Sequence, residues 1–225
     1  MLAWFFRGIR RGRVTTGYPR VERSHPDGFE GVVELAGAAS CRQRVAAACA
    51  SSHGMIVVNG DGAVPLQSQA RNLGRSIHVR HIDCGSDGSE EWEIQALWNP
   101  YYDIQRLGFF LTNSPRHADV LLVTGPVTAA MRKPLERTWE VMPSPKALIA
   151  VGNEACGGGI HQAGLLDSSG RELTAGGVAN VLPVDIYVPG SPPPAIDILQ
   201  ALLVASGRAL PEAQAALDTI GGSSR

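Results

Sequence analysis

Two short apolar runs, residues 120–123 and Ala147–Val151, most constrain how this chain can fold. Each run is followed within two residues by a glycine and is flanked by turn residues, which is typical of strands buried on both faces of a parallel sheet. Between them, residues 127–142 carry apolar side chains at near-helical spacing. The order strand, turn, helix, strand predicts a βαβ unit. Folds of this kind place their sites in the loops that follow the strands.

The sequence on either side continues this alternation of strands and helices. We predict a strand at residues 77–82 and a helix at about 91–97. A final strand at 181–188 and an apolar helix at Ala195–Ala205, which three prolines precede, complete the pattern. The boundaries that we predict are 73–210 for an α/β domain and 211–225 for a C-terminal tail.

Three motifs carry a family resemblance. They read SPRHADVLLVTGPVT from Ser114, MPSPKALIAVG from Met142 and VDIYVPGSPPP from Val184. From about residue 77 to 207 the chain resembles the small subunit of complex I and of energy-converting, membrane-bound [NiFe] hydrogenases. The resemblance implies a flavodoxin-like parallel sheet with flanking helices. It also implies one [4Fe–4S] cluster at the end of an electron-transfer chain.

The positions that match the cluster ligands of that family carry no cysteine here. The family has a C-x-x-C pair followed by glutamate, and the matching residues are Asp87, Glu90 and Glu91. The third ligand position falls on Glu154 and the fourth, within VPGSPP, on Ser191. Carboxyl and hydroxyl oxygens are hard ligands, whereas an iron–sulfur cluster is held by thiolates. We therefore expect no [4Fe–4S] cluster and a redox-silent subunit.

Three converging carboxyls would repel one another if all were ionised, so something must compensate their charge. They could share protons, with raised pKa values, or pair with a cation such as Arg80, Arg116 or His81. The simplest alternative is a collapsed, hydrogen-bonded surface against a partner. In a subunit that moves protons or ions, the carboxyls could act as a relay; its candidates are Asp87, Glu90, Glu91 and Glu154.

A metal site is a further alternative. Zinc is bound by cysteine, histidine and carboxylate side chains. The residues that could supply such a site are Cys84, Cys156, His81 and His161. The first two lie out of register with the cysteine positions of the family, and no regular metal-ligand spacing links the four.

Residues 21–72 have the outline of a second family motif. The sequence FRGIRRGRVTTGYPR from Phe6 resembles the start of the ferredoxin-like subunit of the same hydrogenase complexes. The cluster motif of that subunit would be followed by a strand, here residues 55–58. Its four ligand positions fall on Cys41, Arg44, Ala47 and Ser51. We predict a degenerate ferredoxin-like segment without a cluster; the alternative is an unrelated α/β linker with a helix at residues 41–50.

Residues 1–20 combine apolar and aromatic side chains with five arginines and no acid. Such a segment can lie in a membrane interface. We predict contact with a membrane surface or a membrane subunit; the alternatives are a disordered basic tail and a segment that docks on another protein. A formal net charge of −1 argues against general nucleic-acid binding. No apolar run approaches the roughly 20 residues that span a bilayer, so we expect a soluble or peripheral chain.

These observations predict a structural or coupling subunit of a membrane-bound, complex-I-like or hydrogenase-like ion-translocating assembly. It would dock a large-subunit homologue to the membrane-arm subunits on the cytoplasmic side of the cell membrane, without being catalytic alone. One alternative is an iron–sulfur electron-transfer subunit of a NADH:quinone oxidoreductase or hydrogenase-like complex. The other is a zinc hydratase-type site in the rebuilt cluster position.

Overall fold

The structure, a computed structural model, describes residues 3–12, 34–36, 55–58, 76–161 and 163–208. The helices are α1 (Ala3–Arg11), α2 (Ser89–Ala96), α3 (Ala129–Val141), α4 (Asn153–Gly157) and α5 (Ala195–Ala205). The strands are β1 (Glu34–Ala36), β2 (Met55–Val58), β3 (Ile77–Asp83), β4 (Phe109–Leu111), β5 (Val120–Thr124), β6 (Ala147–Val151) and β7 (Ile186–Val188). Short 3-10 helices lie at Ile104–Leu107, Pro115–His117 and Val178–Asn180.

The strands form one sheet with the order β1-β2-β7-β6-β5-β3-β4. From β4 to β7 every neighbouring pair is parallel. Numbered by appearance in this parallel part, the order is 2-1-3-4-5, which is the flavodoxin-like order. The predicted α/β fold with a flavodoxin-like sheet is therefore confirmed.

The core lies on both faces of the sheet, because every residue of β5 and β6 is buried. On one face, β5 and β6 pack with Ile94 of α2 and with an almost wholly apolar α5 that includes Ile198 and Leu202. On the other face they pack with Leu135 of α3 and Cys156 of α4. Burial on both faces explains why these strands read as continuous apolar runs instead of alternating patterns.

The predicted elements occur in the predicted order, with some changes in their bounds. The helix predicted at 127–142 is α3, and the one predicted at about 91–97 begins two residues earlier, at Ser89. The helix at Ala195–Ala205 is observed as predicted. The last strand is shorter than residues 181–188, because Pro183 offers no N–H group and the strand starts only at Ile186.

Two described strands of the predicted ferredoxin-like segment join the same sheet. β2 pairs antiparallel with β7, and β1 pairs parallel with β2. The boundary predicted at residue 73 thus does not separate two sheets. The residues at its former ligand positions and the alternative helix at 41–50 lie outside the described residues, as does the tail from residue 209; those positions are Cys41, Arg44, Ala47 and Ser51.

Across the described ranges, none of the helices has both the length and the apolar character needed to cross a bilayer.

Candidate functional site

The candidate site lies where the strand order reverses. β3 and β5 are neighbours in the sheet, whereas β4, which lies between them in the chain, is on the outside. The loops after β3 and β5 therefore diverge at the carboxyl edge of the sheet, where doubly wound folds bind their ligands. α2 follows the first of these loops and α3 the second.

The two loops are joined by hydrogen bonds. The Cys84 N–H donates to Thr124 O at 2.9 Å, and both the N–H and the hydroxyl of Thr128 donate to Cys84 O, at 3.1 and 3.0 Å. Gly125, in the loop after β5, lies against Ser86 in the loop after β3. Its φ is +70, and a Cβ on it would lie 2.3 Å from the Ser86 nitrogen. Only glycine fits at that position without a shift of the backbone.

Glu91 is the centre of a partly buried hydrogen-bond network. Its carboxyl accepts from the hydroxyl of Ser86 at 2.6 Å and from the hydroxyl of Thr124. His81 Nε2 lies 2.9 Å from Thr124 Oγ1 and 3.4 Å from Glu91 Oε1. Because the single proton of Thr124 is donated to Glu91, His81 must donate from Nε2. Burial lowers the pKa of His81, and the neighbouring Glu91 carboxylate opposes that shift.

Glu90 is 2% exposed although it is a carboxylic acid. Its side chain packs against the backbone at the start of α4, since a Cβ on Gly152 would lie 2.5 Å from Glu90 Oε1. Burial raises the pKa of Glu90, and the nearby Asp87 and Glu91 charges raise it further. The loop after β3 and the loop after β6 thus meet at this carboxyl.

One hydroxyl links Glu90 to Asp87. Ser89 Oγ lies 2.6 Å from Asp87 Oδ1 and 3.1 Å from Glu90 Oε2. A hydroxyl has one proton to donate and lone pairs to accept with, so both contacts are hydrogen bonds only if one carboxyl is protonated. The pKa of Asp87 is lowered, first by its hydrogen bond from Ser89, and the pKa of Glu90 is raised. Of the two carboxyls, Glu90 is therefore the one whose protonated form the surroundings favour.

Glu154 belongs to the same electrostatic group. Burial raises its pKa, the His161 side chain lowers it and the Asp87 charge raises it again. His161 Nε2 lies 3.9 Å from Glu154 Oε1. Gly159, with φ +53, leaves room for the side chain, because a Cβ there would lie 3.1 Å from Glu154 Cγ. We call Asp87, Glu90, Glu91 and Glu154 the carboxyl cluster.

Ser191 lies on the loop after β7, at the same edge. Two hydrogen bonds join this loop to Asn153 at the start of α4. The Asn153 N–H donates to Gly190 O at 2.7 Å, and Asn153 Oδ1 accepts from the Gly190 N–H at 2.8 Å. Ser191 itself is exposed. The four matched positions thus lie in the segments that follow β3, β6 and β7 at the carboxyl edge: Asp87 and Ser191 in loops, Glu90 in the first turn of α2 and Glu154 in α4.

The donors present at this edge do not fit an iron–sulfur cluster. They are carboxyl and hydroxyl oxygens, whereas such clusters are held by thiolates. The two described thiols, Cys84 and Cys156, are buried in the apolar core on the α3 side of the sheet. Burial raises the pKa of Cys84 to about 12, which keeps it a thiol.

The structure also offers no support for the alternative zinc site. Among the described residues, no group of three or more histidine, cysteine and acidic side chains could hold a metal ion. The four residues considered for it are therefore not brought together as a site; they are Cys84, Cys156, His81 and His161. Cys156 Sγ instead donates to Ala150 O at 3.6 Å.

Of the three cations considered as partners of the carboxyls, His81 is at the cluster. Arg80 and Arg116 form no ion pair within the described part of the chain, and the buried Nε of Arg80 has no hydrogen-bond partner there. The pairing of His161 with Glu154 and the role of Thr124 were not predicted. Thr124 ends β5, and Glu154 and His161 follow β6 in the chain. This position after a strand is the only feature of the sequence that could have indicated them.

The sequence model for "NADH ubiquinone oxidoreductase, 20 Kd subunit" matches residues 87–205, more than half of the 225-residue chain. The chain belongs to this 20 kDa subunit family. The match begins at Asp87, the first residue of the carboxyl cluster, and ends with α5. The family resemblance is thus confirmed, and the matched range covers the carboxyl cluster.

Relatives of this 20 kDa family member include named hydrogenase subunits. Formate hydrogenlyase subunit 7 of Escherichia coli is 40% identical over 62% of this chain and 52% of its own length. The chain thus spans about half of that relative. An uncharacterised protein of Methanocaldococcus jannaschii is 40% identical over 60% of this chain and 86% of its own. The probable membrane-bound hydrogenase subunit mbhJ of Pyrococcus furiosus is 38% identical over 59% and 75%.

Proposed function

We propose that this chain is a redox-silent structural or coupling subunit of a membrane-bound, complex-I-like or hydrogenase-like ion-translocating assembly. It docks a large-subunit homologue to the membrane-arm subunits on the cytoplasmic side of the membrane. The observation that carries the proposal is the carboxyl cluster at the switch point of the sheet. The names of the relatives, which are subunits of hydrogenase complexes, support membership of an assembly.

The chemistry of the carboxyl cluster is suited to proton transfer and not to electron transfer. One-electron transfer needs a group that changes oxidation state, and neither carboxyls nor hydroxyls do so under these conditions. Carboxyls with raised pKa values do take up and release protons near neutral pH. The electron-transfer alternative requires thiolates that this edge of the sheet does not supply.

The geometry also provides a path for a proton. Glu90 is buried and its pKa is raised, Ser89 lies within hydrogen-bond distance of both Glu90 and Asp87, and Asp87 is exposed. Moving the proton from Glu90 to Ser89 while the Ser89 proton moves to Asp87 transfers one proton from the interior to the surface. Asp87 in turn is close enough to Glu154 to shift its pKa, so a second carboxyl responds to the same event.

The experiment is ion transport by membrane vesicles that contain the native complex. The Glu90→Gln variant keeps the shape of the side chain but has no proton to release, and the Ser89→Ala variant removes the bridge. We expect both to reduce the transport rate by about a hundredfold or more, the lower end of the range for a lost acid–base group, while the complex still co-purifies. The matched control is Glu140→Gln, an exposed carboxyl on α3.

Unchanged transport in both variants would remove the relay and leave a scaffold. The redox-silent part is tested on the same preparation by iron and acid-labile sulfide analysis. Iron that remains with this chain after the complex is dissociated would contradict the proposal.

A further inference from the structure

The N-terminal helix α1 exposes apolar and cationic side chains in adjoining stripes. Phe6 and Ile9, three residues apart and therefore neighbours on the helix surface, are each 64% exposed. Arg7, Arg10 and Arg11 are spaced by three and four residues and form an adjoining stripe that is exposed as well; Arg10, four residues after Phe6, borders the apolar pair.

The charge of this helix is not balanced locally. No acidic residue lies in its first turn, and none occurs within residues 1–20, which contain five arginines. An apolar pair at this exposure is also unfavourable in water. A partner of α1 must therefore cover apolar side chains and supply negative charge within the same few ångströms.

We propose that α1 binds the surface of an anionic lipid bilayer. The helix lies in the plane of the headgroups, with Phe6 and Ile9 at the boundary of the acyl chains and the three arginines against lipid phosphates. A nucleic-acid backbone would satisfy the arginines but would leave the apolar pair exposed, so the lipid surface fits both sides. This proposal adds a lipid partner to the proposed function. It rests on that function only because a membrane-bound assembly would place the chain next to a bilayer.

The test is co-sedimentation of the full chain with vesicles of phosphatidylcholine, alone or mixed with phosphatidylglycerol. We expect binding to the mixed vesicles only, and weaker binding as salt is added. The double variant Arg7→Gln/Arg10→Gln should weaken binding roughly thirtyfold, as two surface cations near an anionic leaflet predict. Its control, Lys133→Gln/Arg137→Gln, makes the same change of charge on exposed positions of α3 and should leave binding unchanged.

A second variant and its control test the apolar side chains of α1. Ile9→Ser should weaken binding, whereas Ile160→Ser, at a position that is 87% exposed, should not. Binding to neither kind of vesicle, or equal weakening by the α1 and α3 double variants, would overturn the proposal. The second result would point to a general attraction between charges, and the first to a protein partner. None of these outcomes depends on Glu90, so a failed transport test and a failed lipid test are distinguishable.

Discussion

The Glu90 carboxyl is buried beside two other acids, and its protonated form suits that environment. Its pKa is raised, so folded protein binds the proton more tightly than unfolded protein does. As pH rises above the ordinary pKa of a glutamate, the unfolded chain releases this proton while the folded chain still holds it. This difference favours the unfolded state increasingly until pH passes the raised pKa of the folded state. The free energy of unfolding therefore falls over this window.

The first prediction concerns this pH dependence. The Glu90→Gln variant has no proton to lose, so its free energy of unfolding should fall less than that of the parent chain as pH rises above 4.5, the ordinary pKa of a glutamate. The difference is about 1.4 kcal/mol for each unit by which the pKa is raised. Urea denaturation of the full chain at several pH values measures it.

Asp197 does not disturb the comparison. It is 2% exposed, and burial raises its pKa to about 7, but it titrates in both proteins and cancels in the difference. Glu140→Gln serves as the control and should follow the parent chain. If the curves for Glu90→Gln and the parent run parallel, the proton does not reside on Glu90.

At the scale of elements, Gly125 determines how closely the loops after β3 and β5 approach. We predict that Gly125→Ala destabilises the chain by about 3 kcal/mol or more, because the added methyl would clash with the backbone of the other loop as well as strain a positive φ. The measurement is the midpoint of urea unfolding.

Gly164→Ala provides the control for that prediction. Gly164 also has a positive φ, +88, but nothing lies within 4 Å of its Cβ position. It carries the conformational strain without the clash and should cost about 1 kcal/mol. Equal losses in the two variants would show that the loops can separate.

The elements were more predictable from sequence than their contacts. β5, β6 and α5 were predicted because each is a local sequence pattern: β5 and β6 are short apolar runs bounded by turn residues, and α5 is an apolar helix preceded by prolines. The contact of Thr124 with Glu91 spans 33 residues and that of His81 with Thr124 spans 43. Such pairs depend on strand order, which a βαβ pattern does not specify. The antiparallel pairing of β2 with β7 was missed for the same reason.

At the scale of the whole molecule, the four positions matched to cluster ligands follow strands that end at the same edge of the sheet, but their side chains offer oxygen atoms and not thiolates. We predict that restoring thiols by Asp87→Cys, Glu90→Cys, Glu154→Cys and Ser191→Cys together lets the chain take up about four irons under anaerobic reconstitution. Iron and sulfide analysis measures the uptake.

The matched control for the thiol-restored chain omits one substitution and leaves Ser191 in place. It should take up less iron, because the fourth thiolate is missing. If the fourfold variant folds and binds no iron, these loops do not place the four positions around one centre.

Hydrogen bonds between Cys84, Thr124 and Thr128 hold the loops after β3 and β5 together. Under the proposed function this has a consequence for biogenesis. Such a subunit would be mature as soon as it has folded. This edge of the sheet would require no insertion of iron or sulfide and no protection from oxygen. Its supply to the assembly is then set by translation and folding, independently of cofactor insertion.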